Sequence, residues 1–159
     1  MFFRSSTSPS TPPPRSETGP GIANSGPQGA EAAPARGLIL VVDDSAMIRG
    51  AVIKTLNGSS YPTVHAENGR AGLAMWEKHA DAIKLVISDV FMPEMDGMTM
   101  ARELRRRSRT LPIILMSSKL DEDTRWVAEE AGFRLLPKPF KDSYMLELIA
   151  RMLRLQASR

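Results

Sequence analysis

Short apolar runs alternate with amphipathic stretches along the chain from about residue 38 to residue 155. The runs Leu38–Val42 and Lys84–Ser88 are almost continuously apolar, which is typical of strands buried on both faces of a parallel sheet. The stretches between the runs have the length and spacing of helices. The predicted strands are Leu38–Val42, Thr63–Ala66, Lys84–Ser88, Leu111–Met116 and Arg134–Leu136. The predicted helices are Ala46–Leu56, Gly69–Ala80, Met98–Arg107, Asp123–Ala131 and Asp142–Leu155.

Five strand-helix repeats predict an α/β domain whose parallel sheet is covered by helices on both faces. Open sheets of this class bind ligands at the carboxyl ends of their strands, where the strand order reverses. In the order 2-1-3-4-5, taken from doubly wound flavodoxin-like folds, the order reverses between strands 1 and 3. These strands lead into Asp43, Asp44 and Asp89. We therefore predict a flavodoxin-like, five-stranded parallel sheet of order 2-1-3-4-5 with five helices and a site at this edge.

Polar side chains follow four of the predicted strands. They occur in the segments Val41–Ser45, Ser88–Pro93, Met116–Ser118 and Leu136–Phe140. The side chains that we expect to meet are Asp43, Asp44, Asp89, Ser117 and Lys138. Clustered carboxylates repel one another, so a divalent cation is expected to offset them, and Mg²⁺ suits oxygen ligands. With that cation, a carboxylate of the cluster is suited to accept a phosphoryl group.

Each of these residues also has an ordinary structural explanation. Asp44 or Ser45 is suited to cap the helix that follows the first strand. Asp89 fits a turn, Ser117 fits a strand-end cap, and Lys138 fits a solvated surface charge. The joint occurrence of the residues, in order and at successive strand ends, favours the functional interpretation.

Residues from Leu38 to about Leu155 resemble a response-regulator receiver domain. The resemblance rests on Val-Val-Asp43-Asp44-Ser, Ser-Asp89-Val-Phe-Met-Pro-Glu-Met-Asp-Gly, Leu-Met-Ser117-Ser and Pro-Lys138-Pro-Phe. It implies that Asp89 accepts a phosphoryl group from a phosphohistidine of a partner. It also implies that Lys138 faces the phosphoryl oxygens as a point charge and that Ser117 donates its hydroxyl to one of them.

The resemblance further implies a Mg²⁺ site. In receivers the positions of Asp44 and Asp89 bind the metal directly, and the carbonyl of Phe91 supplies a further oxygen. Asp43 would act largely through a coordinated water. The chain would then be no enzyme in the ordinary sense, because it would catalyse only its own phosphorylation and dephosphorylation.

The implied function is that of a phospho-acceptor switch in a two-component phosphorelay. Its donor would be a histidine kinase or a histidine phosphotransfer protein, and its output a protein contact through the fourth helix, fifth strand and fifth helix. Because the last helix ends near the last residue, we expect a single-domain regulator. A receiver module of a hybrid histidine kinase, a phosphate sink or relay, and a phosphorylation-independent adaptor stay open.

A haloacid-dehalogenase-like phosphohydrolase is a rival from the enzyme class, with Asp43 as its nucleophile. That family carries a second aspartate two residues after the nucleophile. Here Asp44 comes directly after Asp43 and Ser45 stands at the second place. The spacing therefore disfavours the hydrolase.

Composition divides the chain into a tail over residues 1–37 and a receiver domain over 38–156. The tail holds seven of the twelve prolines, nine Ser or Thr and five Gly, so we expect it to be disordered. The chain has no cysteine and two histidines, which disfavours soft metal sites. No secretory signal or membrane span is evident, so we expect a cytoplasmic protein without membrane insertion. The arginines between Arg102 and Arg109 accompany no recognition module, so we expect no nucleic-acid binding.

Two positions depart from the receiver pattern or bear on its timing. Leu135 stands three residues before Lys138, where receivers usually have an aromatic switch residue, so either Phe133 partly substitutes or the aromatic step is missing. Phe91, two residues after Asp89, is a bulky neighbour of the expected path of hydrolytic water. We therefore expect slow self-dephosphorylation.

Overall fold

The computed structural model describes residues 36–158. The predicted tail over 1–37 thus lies outside the described residues, apart from Arg36 and Gly37. Gly37 has a positive φ of 72° and is buried, and a Cβ added to it would lie 2.2 Å from Cγ of Lys84. Leu38 N then donates a hydrogen bond of 2.8 Å to the carbonyl of Ala82. A glycine is therefore needed where the chain enters the sheet.

Five strands and five helices alternate along the described chain, as predicted. The strands are β1 (Leu38–Val42), β2 (Thr63–Ala66), β3 (Ile83–Asp89), β4 (Ile113–Ser117) and β5 (Arg134–Pro137). The helices are α1 (Ala46–Gly58), α2 (Gly69–His79), α3 (Gly97–Arg107), α4 (Glu122–Glu130) and α5 (Asp142–Ala157). The sheet is parallel, and its order is β2-β1-β3-β4-β5. The predicted fold class and strand order are confirmed.

Five strand boundaries differ from the prediction by one or two residues, and two of these differences have a clear physical reason or bear on the site. The fourth strand begins at Ile113 and not at Leu111, because Pro112 has no N–H to donate to the ladder and takes part only through its carbonyl, which accepts from Val86 N at 3.0 Å. The third strand continues through Asp89 and does not end at Ser88. The nucleophile candidate is thus part of the regular sheet.

Alternate residues of the central strands pack into two separate apolar layers. The layer beneath α1 and α5 contains Ile39, Val41, Leu85, Ile87, Ile114 and Met116. The layer beneath α2, α3 and α4 contains Leu40, Val42, Val86, Ile113 and Leu115. Each of these strand side chains is at most 1% exposed. The continuous apolar runs of the sequence therefore report burial on both faces, while the strand period of two decides which layer each side chain enters.

Four helices begin with a side-chain cap at the carboxyl edge of the sheet. In each, the cap oxygen accepts the backbone N–H of the residue three positions on, which satisfies one free donor of the first turn. The caps are Ser45 for α1, Asn68 for α2, Asp96 for α3 and Asp121 for α4. No helix among residues 36–158 is long and apolar enough to cross a membrane.

Candidate functional site

Asp43 and Asp44 lie directly after β1, in the loop that leads into α1. The side chain of Asp43 is buried, and its Oδ1 accepts the backbone N–H of Ser45 at 2.9 Å. Ser45 in turn caps α1 by accepting from Ile48 N. Of the two candidate caps, Asp44 and Ser45, the cap is therefore Ser45. Asp44 is exposed. The loop therefore holds one carboxylate rigidly and leaves its neighbour accessible.

Asp89 is the last residue of β3 and lies beside β4. Val90 N donates to the carbonyl of Met116 at 2.9 Å, which continues the ladder past Asp89 and fixes its backbone. The buried hydroxyl of Ser88 donates to the carbonyl of Asp89 at 2.9 Å. The sheet thus presents this carboxylate at its carboxyl edge with 9% of the residue exposed.

Lys138 brings the end of β5 to the acids. Its Nζ lies 2.9 Å from Oδ1 of Asp89 and 3.3 Å from Oδ2 of Asp43, and its side chain is 17% exposed. The backbone N–H of Lys138 donates to the carbonyl of Ser117 at 2.8 Å, which ties it to β4. A single ammonium therefore bridges carboxylates from two other strands.

Burial and the charges of this cluster together shift the pKa of two groups. Burial raises the pKa of Asp89; the hydrogen bond and charge of Lys138 oppose this, and the charges of Asp43 and Asp44 add to it. Burial by itself lowers the pKa of Lys138, but the hydrogen bond to Asp89 and the charges of both acids outweigh it, so the net shift is upward. Lys138 stays protonated, and one ammonium faces three carboxylates.

The three carboxylates fit a hard divalent cation. One oxygen from each of Asp43, Asp44 and Asp89 lies within 4.8 Å of the other two, which is a spacing that one ion can bridge. The donors are all oxygen, as Mg²⁺ prefers, and one of the acids is open to solvent, so coordinated waters have room. The donor set thus suits Mg²⁺, and these three side chains are the residues that would hold it.

Mg²⁺ is expected to stabilise the folded protein by relieving the repulsion among the acids. At a Mg²⁺ concentration about a hundredfold above Kd, the expected gain is about 2.7 kcal/mol. Asp44→Asn is expected to raise the melting temperature in EDTA, because one repelling charge is gone, and to lose most of the Mg²⁺-dependent gain. Thermal unfolding with and without Mg²⁺ tests this. Asp81→Asn, at an exposed position before β3, is the matched control. Equal Mg²⁺ gains in the two variants would contradict the assignment.

Ser117 ends β4 but does not reach towards the acids. Its hydroxyl donates to the carbonyl of Lys119 at 2.7 Å and accepts the N–H of the same residue at 3.0 Å. The residue is 1% exposed. The predicted hydrogen bond to a phosphoryl oxygen therefore requires Ser117 to exchange its bonds with Lys119 for the new one.

Phe91 follows Asp89 by two residues and is 52% exposed. It lines an open cavity of about 320 Å³ together with Met98, Arg102 and Val127 of α3 and α4. Its carbonyl stays a predicted metal ligand. Slow dephosphorylation stays a prediction that rests on the position of Phe91 two residues after Asp89.

The position of the usual aromatic switch is occupied by Leu135. Leu135 is partly buried on β5. Phe133 is only 3% exposed and lies beneath the guanidinium of Arg105, whose Cζ is 5.3 Å from the ring centroid. Phe133 is thus packed in the interior and not exposed at the surface. This favours the second alternative, in which the aromatic step is missing.

Two supporting residues were missed as parts of the site. Gly97 precedes the predicted helix Met98–Arg107 and was given no role in the site, but its N–H donates to the carbonyl of Val90 at 2.8 Å, and an added Cβ would lie 1.9 Å from the carbonyl oxygen of Asp89. Ser88 was counted as part of an apolar strand. A hydroxyl at the end of the buried run Leu-Val-Ile-Ser was the available signal, because a buried hydroxyl needs a partner.

Comparison with known proteins gives one consistent result. The model of the response regulator receiver domain matches residues 39–150. A probable transcriptional regulatory protein of Picosynechococcus is 37% identical over 119 residues, which cover 71% of this chain and 46% of the relative. The chain thus spans less than half the length of that relative, and it spans 24% of the transcriptional regulator NtrC of Salmonella typhimurium.

Solved structures agree with the curated relatives. The chemotaxis protein CheY4 of Vibrio cholerae is 30% identical with a TM-score of 0.68, and the match covers 73% of this chain and 98% of that one. The receiver domain of the hybrid histidine kinase CckA is 31% identical with a TM-score of 0.62, and the match covers 74% and 99%. Both comparisons confirm the fold over the same part of the chain.

Proposed function

Because the chain belongs to the response regulator receiver domain family, we propose that it is a phospho-acceptor switch in a two-component phosphorelay, with Asp89 as the acceptor. The observation that carries the proposal is the position of Asp89 in a three-carboxylate cluster, with the Lys138 ammonium 2.9 Å from its Oδ1. This arrangement combines a nucleophilic oxygen with charges that suit an incoming phosphoryl group.

The transfer follows from these positions. An oxygen of Asp89 attacks the phosphorus of a partner phosphohistidine, the new O–P bond forms as the P–N bond breaks, and the bonding electron pair leaves with the imidazole. Lys138 shifts from the carboxylate to a phosphoryl oxygen and neutralises its charge. Bound Mg²⁺ would supply further charge neutralisation. The sheet contributes chiefly by holding Asp89 in place, so catalysis is positioning together with electrostatic stabilisation.

Asp43 is a poorer nucleophile than Asp89, which weighs against the haloacid-dehalogenase-like alternative. Its Oδ1 accepts from Ser45 N and its Oδ2 lies 3.3 Å from Nζ of Lys138, so both oxygens are engaged. The residue is also only 1% exposed. Catalytic turnover of a phosphomonoester, with Asp43 as the covalent site, would favour the hydrolase over the receiver.

The route by which phosphorylation changes the surface begins at Ser117. When its hydroxyl turns to a phosphoryl oxygen, the two bonds with Lys119 break and the loop before α4 is released. Leu120 follows Lys119 in this loop. The guanidinium of Arg125 in α4 donates a hydrogen bond of 3.3 Å to the carbonyl of Leu120. The signal thus reaches the face formed by α4, β5 and α5 without an aromatic switch, because new interactions at Asp89 favour one of two loop arrangements.

The proposed partners are a histidine kinase or a histidine phosphotransfer protein as donor and a protein target on the face formed by α4, β5 and α5, acting in the cytoplasm. The similarity to the receiver domain of the hybrid histidine kinase CckA supports a second assignment, in which this chain is the receiver of such a kinase. A phosphate sink uses the same acceptor chemistry without a target. An output role predicts a partner whose affinity depends on phosphorylation.

Incubation with acetyl phosphate and Mg²⁺ tests the central proposal. Intact-mass measurement should show one added phosphoryl group on the wild-type protein, and the addition should require the metal. A protein that takes up no phosphate under these conditions would contradict the proposal.

The phosphoaspartate is expected to be long-lived because Phe91 restricts the approach of water. Phe91→Asn should shorten its lifetime several-fold, since a smaller polar side chain admits and orients a water molecule. Phe91→Leu, which keeps an apolar side chain, is the matched control and should leave the lifetime nearly unchanged. Loss of phosphate after removal of acetyl phosphate, followed by mass, measures both. Equal lifetimes in wild type and Phe91→Asn would sink this explanation.

A further inference from the structure

Arg49 lies in the first turn of α1, beside the loop that carries two acids of the site, but pairs with none of them. Within residues 36–158 its guanidinium forms no ion pair with a carboxylate. Its Nη1 instead donates a 2.6 Å hydrogen bond to the backbone carbonyl of Asp43. This distance is short for an N–H···O bond, as is usual where the donor is charged. Arg49 thus binds the loop between β1 and α1 and not a side chain of the cluster.

The stability of the helix does not explain this arginine. The amino end of a helix carries a partial positive charge, so a cation in the first turn is unfavourable. α1 also has no acidic residue in that turn to offset it. Helical side chains lean towards the amino end, which lets Arg49 reach back to a carbonyl that stands before the cap Ser45. The bond to Asp43 is the interaction that accounts for an arginine at this position.

Asp43 is held at every one of its polar groups. Its N–H donates to the last carbonyl of β2 at 3.2 Å, its Oδ1 accepts from Ser45 N, and its Oδ2 lies 3.3 Å from Nζ of Lys138. Arg49 supplies the remaining bond, at the carbonyl. Because a peptide bond is planar, a bond to the carbonyl of Asp43 also fixes the direction of the N–H of Asp44. Arg49 therefore orients the peptide from which Asp44 begins.

Asp44 has few other restraints. It is exposed, and in the part of the chain that the structure describes its carboxylate accepts no hydrogen bond and forms no ion pair. The peptide that follows it is held by the bond from Ser45 N to Oδ1 of Asp43, which is itself an acid of the cluster. The peptide that precedes it is held by Arg49, from outside the cluster. The direction of the Asp44 carboxylate thus depends on Arg49.

We propose that Arg49 is a positioning residue for the cation site. By holding the carbonyl of Asp43, it directs the Asp44 carboxylate towards the oxygens of Asp43 and Asp89, which lie within 4.8 Å of it. The proposal rests on the proposed function, because it adds a residue to the Mg²⁺ site of the phospho-acceptor. Arg49 is not a ligand, since a guanidinium has no acceptor to offer a metal. Replacing a residue that orients metal ligands typically weakens metal binding by about ten- to a hundredfold.

Replacement of Arg49 distinguishes positioning from charge, because the two effects have opposite signs. On charge alone, the loss of a cation beside the acids should strengthen the binding of Mg²⁺. Loss of the hydrogen bond to Asp43 should weaken it. Arg49→Met keeps an apolar stem but removes the charge and the donors, and we expect it to raise the Kd for Mg²⁺ about tenfold. Isothermal titration calorimetry on the full chain measures this, at a temperature where circular dichroism shows a folded protein.

The matched control is Arg70→Met, which removes the same charge at an exposed position in the first turn of α2, at the same edge of the sheet. It should not weaken the binding of Mg²⁺. Arg49→Gln, whose amide is too short to replace the guanidinium, is a second variant that should change Kd in the same direction as Arg49→Met. A purely structural arginine would lower the melting temperature in EDTA and leave Kd unchanged. A Kd in both Arg49 variants no higher than that of the wild type, or an equal rise in Arg70→Met, would overturn the proposal.

Phosphorylation of the same samples separates this inference from the proposed function. The Mg²⁺ concentration that gives half-maximal uptake of phosphate from acetyl phosphate should rise in Arg49→Met by the same factor as Kd. A wild type that gains one phosphoryl group, beside an Arg49→Met protein that needs no more Mg²⁺, retains the proposed function and refutes the positioning role. A wild type that gains no phosphoryl group refutes the proposed function, and calorimetry then still decides the role of Arg49 in cation binding.

Discussion

Asp89→Asn is expected to take up no phosphoryl group from acetyl phosphate and Mg²⁺, whereas the wild type takes up one. An amide has no ionised oxygen to attack phosphorus, so the covalent bond cannot form. The geometry explains why no neighbour is expected to replace it. Both oxygens of Asp43 are engaged by Ser45 and Lys138. Asp44 is exposed and lies in the loop after β1, whereas Asp89 is held at the end of β3.

The loss must be separated from a loss of fold. Asp89 is joined to Lys138 at the site, but the lysine keeps its contact with Asp43 in the variant, so no charge is left buried without a partner. Circular dichroism should therefore show a folded Asp89→Asn protein. Asp81→Asn, the matched control, should accept phosphate normally. A phosphoryl group that persists in Asp89→Asn would place the acceptor elsewhere and contradict the assignment.

Gly97→Ala, at the first residue of α3, is expected to lower the stability of the protein strongly. The added Cβ would lie 1.9 Å from the carbonyl oxygen of Asp89 and 2.9 Å from Oγ of Ser88. The oxygen belongs to backbone that the sheet holds in place, so it cannot move aside as a flexible side chain can. Overpacking against such a neighbour should lower the free energy of unfolding by roughly 3 kcal/mol. Urea denaturation measures it.

Gly50→Ala is the matched control for this prediction. Gly50 is exposed inside α1, and a Cβ added to it meets nothing within 4 Å. Alanine is the better helix former, so the free energy of unfolding should rise by up to about 1 kcal/mol. Opposite signs for the two substitutions support a steric requirement at Gly97. Similar effects would show that the close approach to Asp89 has no energetic weight.

The Gly97→Ala substitution should also alter the phosphorylation site around Asp89. Because Gly97 N donates to the carbonyl of Val90, displacement of this glycine shifts the backbone that follows Asp89. We therefore expect Gly97→Ala to accept phosphate more slowly even at temperatures where it is folded. The requirement for glycine thus links the first turn of α3 to the chemistry at the end of β3.

The sequence predicted most of the sheet because its signals are local. Runs such as Leu38–Val42 reveal burial on both faces wherever they occur in a chain. The boundaries at Pro112 and Asp89 depended on where the ladder of hydrogen bonds begins and ends, which the neighbouring strand decides. Element type was therefore predictable from each segment alone, but the exact ends were not.

By itself the sequence determined the resemblance to receivers, the alternation of strands and helices and which acids stand at the strand ends, because parallel strands carry their following residues to a common edge whatever the details of packing. The strand order came from the resemblance to flavodoxin-like folds. Only the tertiary structure decided that Ser117 binds Lys119, that Phe133 is fixed beneath Arg105, and that Gly97 must lack a side chain. It also brought together the arginines of α4, β5 and α5 around one groove. These features depend on distances between segments that are far apart along the chain, and such distances follow from packing and not from local pattern.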